Sequence, residues 1–237
     1  MDSKLQRNLS NIKTFTDKNL MKINTTKSNI MIFNMSRSYA FPPEFSFNDG
    51  DNFLEVLSES KLLGIYLTSN LTWHKNTENM VRNAMKRMWL IQRMKRLHLD
   101  SNIKFEYYLK EIRPTLEYAV PVWNSGLSSG QVKQLERVQK IALKVILGPA
   151  FTSYSEACSR FNIESLAARR YKLCVNFAIK LYKSERRRHF FELQDTQRKT
   201  RNRKVVVEKR TRTTRCYNAP HNALARLVNE NAHRFNL

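Results

Sequence analysis

A chain of 237 residues with 41% hydrophobic content, three Trp and 13 Phe can bury one or two cores, which excludes wholesale disorder. Its 42 Lys and Arg against 20 Asp and Glu give a formal charge of +22, far above what solubility requires, so a polyanion such as nucleic acid is the leading partner. No run approaches the ~18 apolar residues of a spanning helix, and the polar stretch from Asp2 to Asn11 has no signal-peptide core, so no membrane partner is expected.

In chain order, Leu5 to Asp17 reads as a short, weakly amphipathic helix with Leu9, Ile12 and Phe15 on one face. Asn19 to Asn24 and Ser28 to Phe33 predict a hairpin around a turn at Asn24 to Lys27. Phe41-Pro42-Pro43 interrupts the pattern, Phe45 and Phe47 alternate again, and Asn48-Asp49-Gly50-Asp51 is a turn signal. A compact apolar run follows from Leu62 to Leu67. A sheet this small has exposed edges and little core, so it is expected to belong to a larger sheet whose other strands lie elsewhere.

Beyond Leu67 the periodicity becomes helical. From Met80 to Leu97, Val81, Ala84, Met85, Met88 and Ile91 form a stripe to be buried, while Arg82, Lys86, Arg93 and Arg96 line another face with Trp89 among them. An aromatic in a cationic row can stack on a base, although a place at the core's edge is the preferred reading of Trp89. Phe105, Tyr108, Leu109, Ile112 and Leu116 keep helical spacing between Asn102 and Ala119, where Pro114 should break and restart the helix. From Gln131 to Leu147, Val132, Leu135, Val138, Ala142 and Val145 share one face, and Lys133, Arg137, Lys140 and Lys144 share another.

A short helix near Ser153 to Ser159 precedes a longer one from Glu164 to Lys183, with Leu166, Leu173, Phe177 and Leu181 on its apolar side. Between Lys183 and Arg215, 13 basic and four acidic residues give a net of +9, the composition of a solvated tail that stays extended or disordered until it meets an anion. Asn218 to Ala232 closes the chain with an amphipathic helix carrying Leu224, Leu227 and Val228. Cys158, Cys174 and Cys216 show no paired or zinc-ribbon spacing, so reduced thiols and an intracellular location, the nucleus included, are expected. Cys158 and Cys174 should act as small buried hydrophobes.

An ordered set of motifs carries a resemblance. Asn19-Leu-Met-Lys-Ile-Asn24 followed by Lys27 and Met31, Lys61-Leu-Leu-Gly-Ile-Tyr-Leu67 with Leu71-Thr-Trp73-His74, Arg113-Pro-Thr-Leu-Glu-Tyr118 with Trp123, and Leu135-Glu-Arg-Val-Gln-Lys140 with Leu147-Gly148 look like the end of a reverse transcriptase. The similarity is to non-LTR retrotransposons of the jockey-like kind and covers roughly residues 5 to 235. It implies a palm remnant at 1–72, a helical thumb-like domain at 73–185 and a basic tail at 186–237. Magnesium is the cofactor of an intact family member, held by a palm aspartate and an aspartate pair. The six aspartates here, Asp2, Asp17, Asp49, Asp51, Asp100 and Asp195, include no adjacent pair, so this chain reads as a piece of the polymerase without its metal site or a cofactor of its own.

Two family positions carry over. Lys27 matches a lysine placed to protonate leaving pyrophosphate, although without the metal site an exposed hairpin-turn lysine is the preferred reading. Gly64, between Leu63 and Ile65, matches a primer-grip strand, where glycine permits close approach of nucleic acid; a glycine in a packed strand corner is equally compatible. His98-Leu99-Asp100 has the H-x-D form of iron and 2-oxoglutarate oxygenases, and a pattern like Leu62 to Leu97 also resembles an AlkB-associated N-terminal module. The helical spacing after His98 favours a polar helix-end residue instead. The resulting expectation is an α+β chain, a small incomplete antiparallel sheet followed by a basic helical bundle and a basic tail, binding RNA or an RNA–DNA duplex without independent polymerase activity. The alternative is a basic module that docks on an acidic protein. Oligomeric state stays open.

Overall fold

A computed structural model describes residues 2–24, 27–33, 44–47, 52–194 and 204–235. The chain is α+β and divides into two compact units, Met1–Leu71 and Thr72–Leu237. In the first, α1 (Asp2–Lys18) precedes two antiparallel hairpins, β1 (Glu44–Phe47) with β2 (Asn52–Glu55) and β3 (Glu59–Leu62) with β4 (Ile65–Thr68). The β1–β2 register pairs Phe45 with Leu54 and Phe47 with Asn52; its connection, the turn signal at 48–51, lies outside the described residues, as does Phe41-Pro42-Pro43. The expected helix forms, but Ile12 and Phe15 on its apolar face stay exposed.

The hairpin expected between Asn19 and Phe33 does not form among the described residues. Leu20 and Met21 are adjacent, so the segment offers no single face to bury, and Leu20 turns into the left-handed region at φ 55°. Ile30 instead makes a parallel bridge to Val56, its amide donating to Glu55 O at 2.9 Å while Leu57 N donates to Ile30 O at 2.8 Å. The apolar run from Leu62 to Leu67 is likewise not one strand. Pairing of Leu62 with Ile65 leaves Leu63 and Gly64 as a two-residue turn with φ of 48° and 86°, the positive pair that defines a type I′ turn.

The second unit is helical. α2 (His74–Arg96) packs along α6 (Ser129–Leu147), and between them in sequence lie α3 (Ser101–Tyr107), a π-turn at Tyr108–Ile112, α4 (Arg113–Glu117) and α5 (Val120–Trp123). The π-turn is the local answer to Pro114, which has no amide to donate and is accommodated in the first turn of α4 rather than inside a continuous helix. Met80, Ala84, Met88 and Ile91 of α2 are buried, as are Leu135, Val138, Ala142 and Ile146 of α6, with Tyr108, Ile112 and Leu116 fully enclosed. Val81, Met85, Val132 and Val145 flank these stripes instead of leading them. Trp73, at the head of α2, is buried against Gly126, where any Cβ would collide with the indole.

α7 (Tyr154–Arg160) and α8 (Leu166–Lys183) complete the bundle, with α9 (Thr214–Tyr217) and α10 (Pro220–Glu230) after them. The buried face of α8 is Leu166, Arg170, Cys174, Val175, Ala178, Ile179 and Tyr182, while Phe177, expected inside, is exposed. Cys158 and Cys174 are free and buried, and burial pushes the Cys174 thiol up to about 11.

Part of the run after Lys183 differs from a solvated tail. Phe191, Val205 and Val206 share a core with Val175, Ile179 and Tyr182 of α8 and Ala225 and Val228 of α10. Leu193 and Val206 form an antiparallel bridge, and Asn229 receives the amides of Val205 and Val206 at 2.9 and 3.0 Å while donating to Val206 O at 2.9 Å. The physical reason is coverage: without this segment, the apolar outer side of α8 would face water.

Candidate nucleic-acid interface

On α2, Arg82, Lys86, Trp89, Arg93 and Arg96 are spaced by four, three, four and three residues, opposite the buried Ala84, Met88 and Ile91, and all five are exposed. Trp89 is 60% exposed, so the core does not claim it, and the Arg93 guanidinium lies 5.7 Å from its ring centroid. Arg82 donates to Asn79 Oδ1 at 3.0 Å. On α6, Lys133, Arg137, Lys140 and Lys144 repeat the same spacing on an exposed face turned away from Leu135, Val138 and Ala142. Among the described residues none of these eight cations has a carboxylate partner. The acids are engaged elsewhere, Glu106 with Lys110, Glu117 with Arg169, Glu164 with Lys172 and Glu208 with Lys204.

Helix dipoles account for part of this charge. Lys95 lies about 4 Å from where a Cβ of Gly148 would stand, so the C-terminal ends of α2 and α6 meet there. Cations at Arg93, Lys95, Arg96 and Lys144 offset the partial negative charge of those ends. Arg82, Lys86 and Lys133 lie well before the last turns, and the dipole gives no reason for them.

Beneath the α6 stripe lies a polar framework that composition did not reveal. Gln139 is buried and accepts from Tyr108 Oη at 2.6 Å, and its amide donates to Tyr154 Oη at 2.8 Å and Glu164 O at 3.0 Å. Tyr154 donates in turn to Glu136, whose carboxylate also receives the Leu166 and Ala167 amides at 2.9 and 3.0 Å, capping α8. Burial raises both tyrosine pKa values, so the phenols remain neutral donors. α6 is thereby locked to α7 and α8, and its outer face is a rigid one.

The remaining candidates resolve differently. Lys27 is exposed, and Asn24 Oδ1 accepts its amide at 3.2 Å. Gly64 belongs to the β3–β4 turn rather than to a strand, and its positive φ is the reason for glycine. His98, at φ 57°, ends α2: its amide donates to Lys95 O and the Leu99 amide to Met94 O, both at 3.1 Å. Asp100 caps α3 by accepting the Asn102 amide at 2.7 Å. The H-x-D pair is thus spent on two helix ends, and no group of three or more His, Cys, Asp or Glu side chains converges among the described residues. No helix among them is long and apolar enough to cross a membrane. No family model, curated protein or solved structure matches the chain.

Proposed function

We propose that this chain binds RNA or an RNA–DNA duplex through the phosphate backbone, as the non-catalytic end of a reverse transcriptase of the jockey-like kind. The observation that carries the reading is the pair of exposed cationic stripes on α2 and α6, whose cations have no carboxylate partner among the described residues and are only partly explained by helix dipoles. Exposed Trp89 with Arg93 beside it adds a surface on which an unpaired base can stack. Phosphate contacts of this sort fix position without reading sequence, so affinity should fall steeply with salt and depend weakly on base order.

Replacing Lys133, Arg137, Lys140 and Lys144 with glutamine removes four cations without touching the buried stripe. If all four engage duplex DNA, the slope of log affinity against log salt should shrink by about 3 to 4 units with helicity intact. The rival source is the segment 195–203, whose Arg198, Lys199, Arg201 and Arg203 can be neutralised separately. Unchanged binding in the first variant with abolished binding in the second would remove the α6 face from the reading. Heparin should displace the chain from its target; displacement by a folded acidic protein with no effect of heparin would favour protein docking instead.

A further inference from the structure

A cleft of about 180 Å³ opens between α5, α8 and α10. Pro121, Cys174, Ala223 and Leu227 give it apolar walls, and Tyr171, with 46% of its surface exposed, stands at its side. Arg226 lines it in a fixed position, its Nη1 donating to Tyr217 O at 2.7 Å and its guanidinium 3.6 Å from the Tyr217 ring centroid. Glu230 lies one helical turn further along α10.

Behind the cleft, bonded to the lining residue Asn124, lies a buried guanidinium. Arg170 is 1% exposed; its Nε donates to Asn124 Oδ1 at 3.1 Å, and its Nη1 has no hydrogen-bond partner among the described residues. Burial lowers the Arg170 pKa, while the carboxylates of Glu136 and Glu117 partly counter it. Arg170 donates to the Asn124 oxygen and the Asn124 amide also bonds the Cys174 sulfur, which leaves one amide N–H to offer. Ser125 spends its proton on Asn218 O at 2.8 Å and is left as an acceptor. The Cys174 thiol stays protonated, so the apolar wall is neutral.

We propose that this cleft binds a nucleotide, with the base against Tyr171 and the phosphate at Arg226. A cavity of this size is below that of sites for drug-sized molecules but admits one planar ring system. A base needs an aromatic face, donors and acceptors for its edge, and a cation for its phosphate; Tyr171, Asn124 with Ser125 and Glu230, and Arg226 supply these in turn. An apolar side chain from a partner peptide would fill the walls and leave the polar groups of Asn124 and Glu230 uncompensated. The inference is independent of the stripes on α2 and α6. The nucleotide can be free or an unpaired residue of a strand, since both present the same chemistry.

The test is an NMR titration of the full chain with AMP. Signals of Asn124, Tyr171, Ala223 and Leu227 should shift, with a Kd of about 1 mM or tighter. Adenosine, lacking the phosphate, should bind several-fold more weakly, and Arg226→Gln should erase that difference. Tyr171→Leu keeps the wall apolar and should weaken AMP by about tenfold, the loss of one stacked base, with the rest of the spectrum unchanged. The α6 glutamine variant should bind AMP as the parent does, so failure of the phosphate-backbone reading leaves this one standing. A tetranucleotide of adenine binding far more tightly than AMP through the same signals identifies a strand as the source, and equal affinity identifies free nucleotide. Absence of shifts in the cleft, or N-acetyl-phenylalaninamide binding as tightly as AMP, overturns the proposal.

Discussion

Leu63 holds a left-handed conformation at the first position of the β3–β4 turn while 82% of its surface faces solvent. For a side chain with a Cβ this conformation costs about 1–2 kcal/mol, which asparagine, able to bond its own backbone, largely escapes. Leu63→Asn would place the favoured Asn-Gly pair in the turn and should slow hydrogen exchange in residues 59–68, by roughly the tenfold that ~1 kcal/mol represents. Equal or faster exchange would mean that the leucine is compensated by a contact worth more than its strain. The same reading separates the two residues of the turn: glycine at 64 satisfies the local backbone, whereas leucine at 63 does not.

At the scale of elements, the Asn229 side chain ties the segment after Lys204 to α10 by hydrogen bonds. It accepts two backbone amides, donates to Val206 O and donates to Glu208 at 2.7 Å. Asn229→Ala leaves the amides of the buried Val205 and Val206 unpaired and should cost about 1–3 kcal/mol, seen as a lower melting temperature and rapid exchange at those two amides. Burial alone would raise the Glu208 pKa, but hydrogen bonds from Asn229 and Lys204 outweigh it and the folded value lies below the ordinary 4.5. Glu208 therefore stabilises this segment fully above that range, and the contribution is lost as pH falls through the lower folded value. Glu208→Gln should flatten that acid limb, while an unchanged limb would place the acid sensitivity in another carboxylate. These elements also mark what the sequence made legible. α2 and α6 were readable because their apolar residues recur at three and four. Gln139, Arg170 and Asn229 were not readable, because a buried polar residue looks in sequence like an exposed one and only its partners in space reveal it. The stretch from Lys183 to Arg215 misled for a related reason: its charge count outweighed two valines and a phenylalanine that turned out to be core.

The two units differ in how much core each has. Among the described residues of Met1–Leu71 only Leu54 and Ile65 are buried hydrophobics, whereas the second unit encloses Trp73, Trp123 and the facing stripes of α2 and α6. Burial of a large side chain is worth about 1.5–3 kcal/mol, so the enclosed stripes of the second unit contribute many times what Leu54 and Ile65 supply among the described residues of the first. In the full chain, amides of α2 and α6 should therefore exchange about a thousandfold or more slowly than those of α1 and both hairpins. Residues 72–237 on their own should retain a cooperative thermal transition, and residues 1–71 on their own should show none. A shared exchange rate across both units, or loss of the transition when the first unit is removed, would mean that the chain folds as one body.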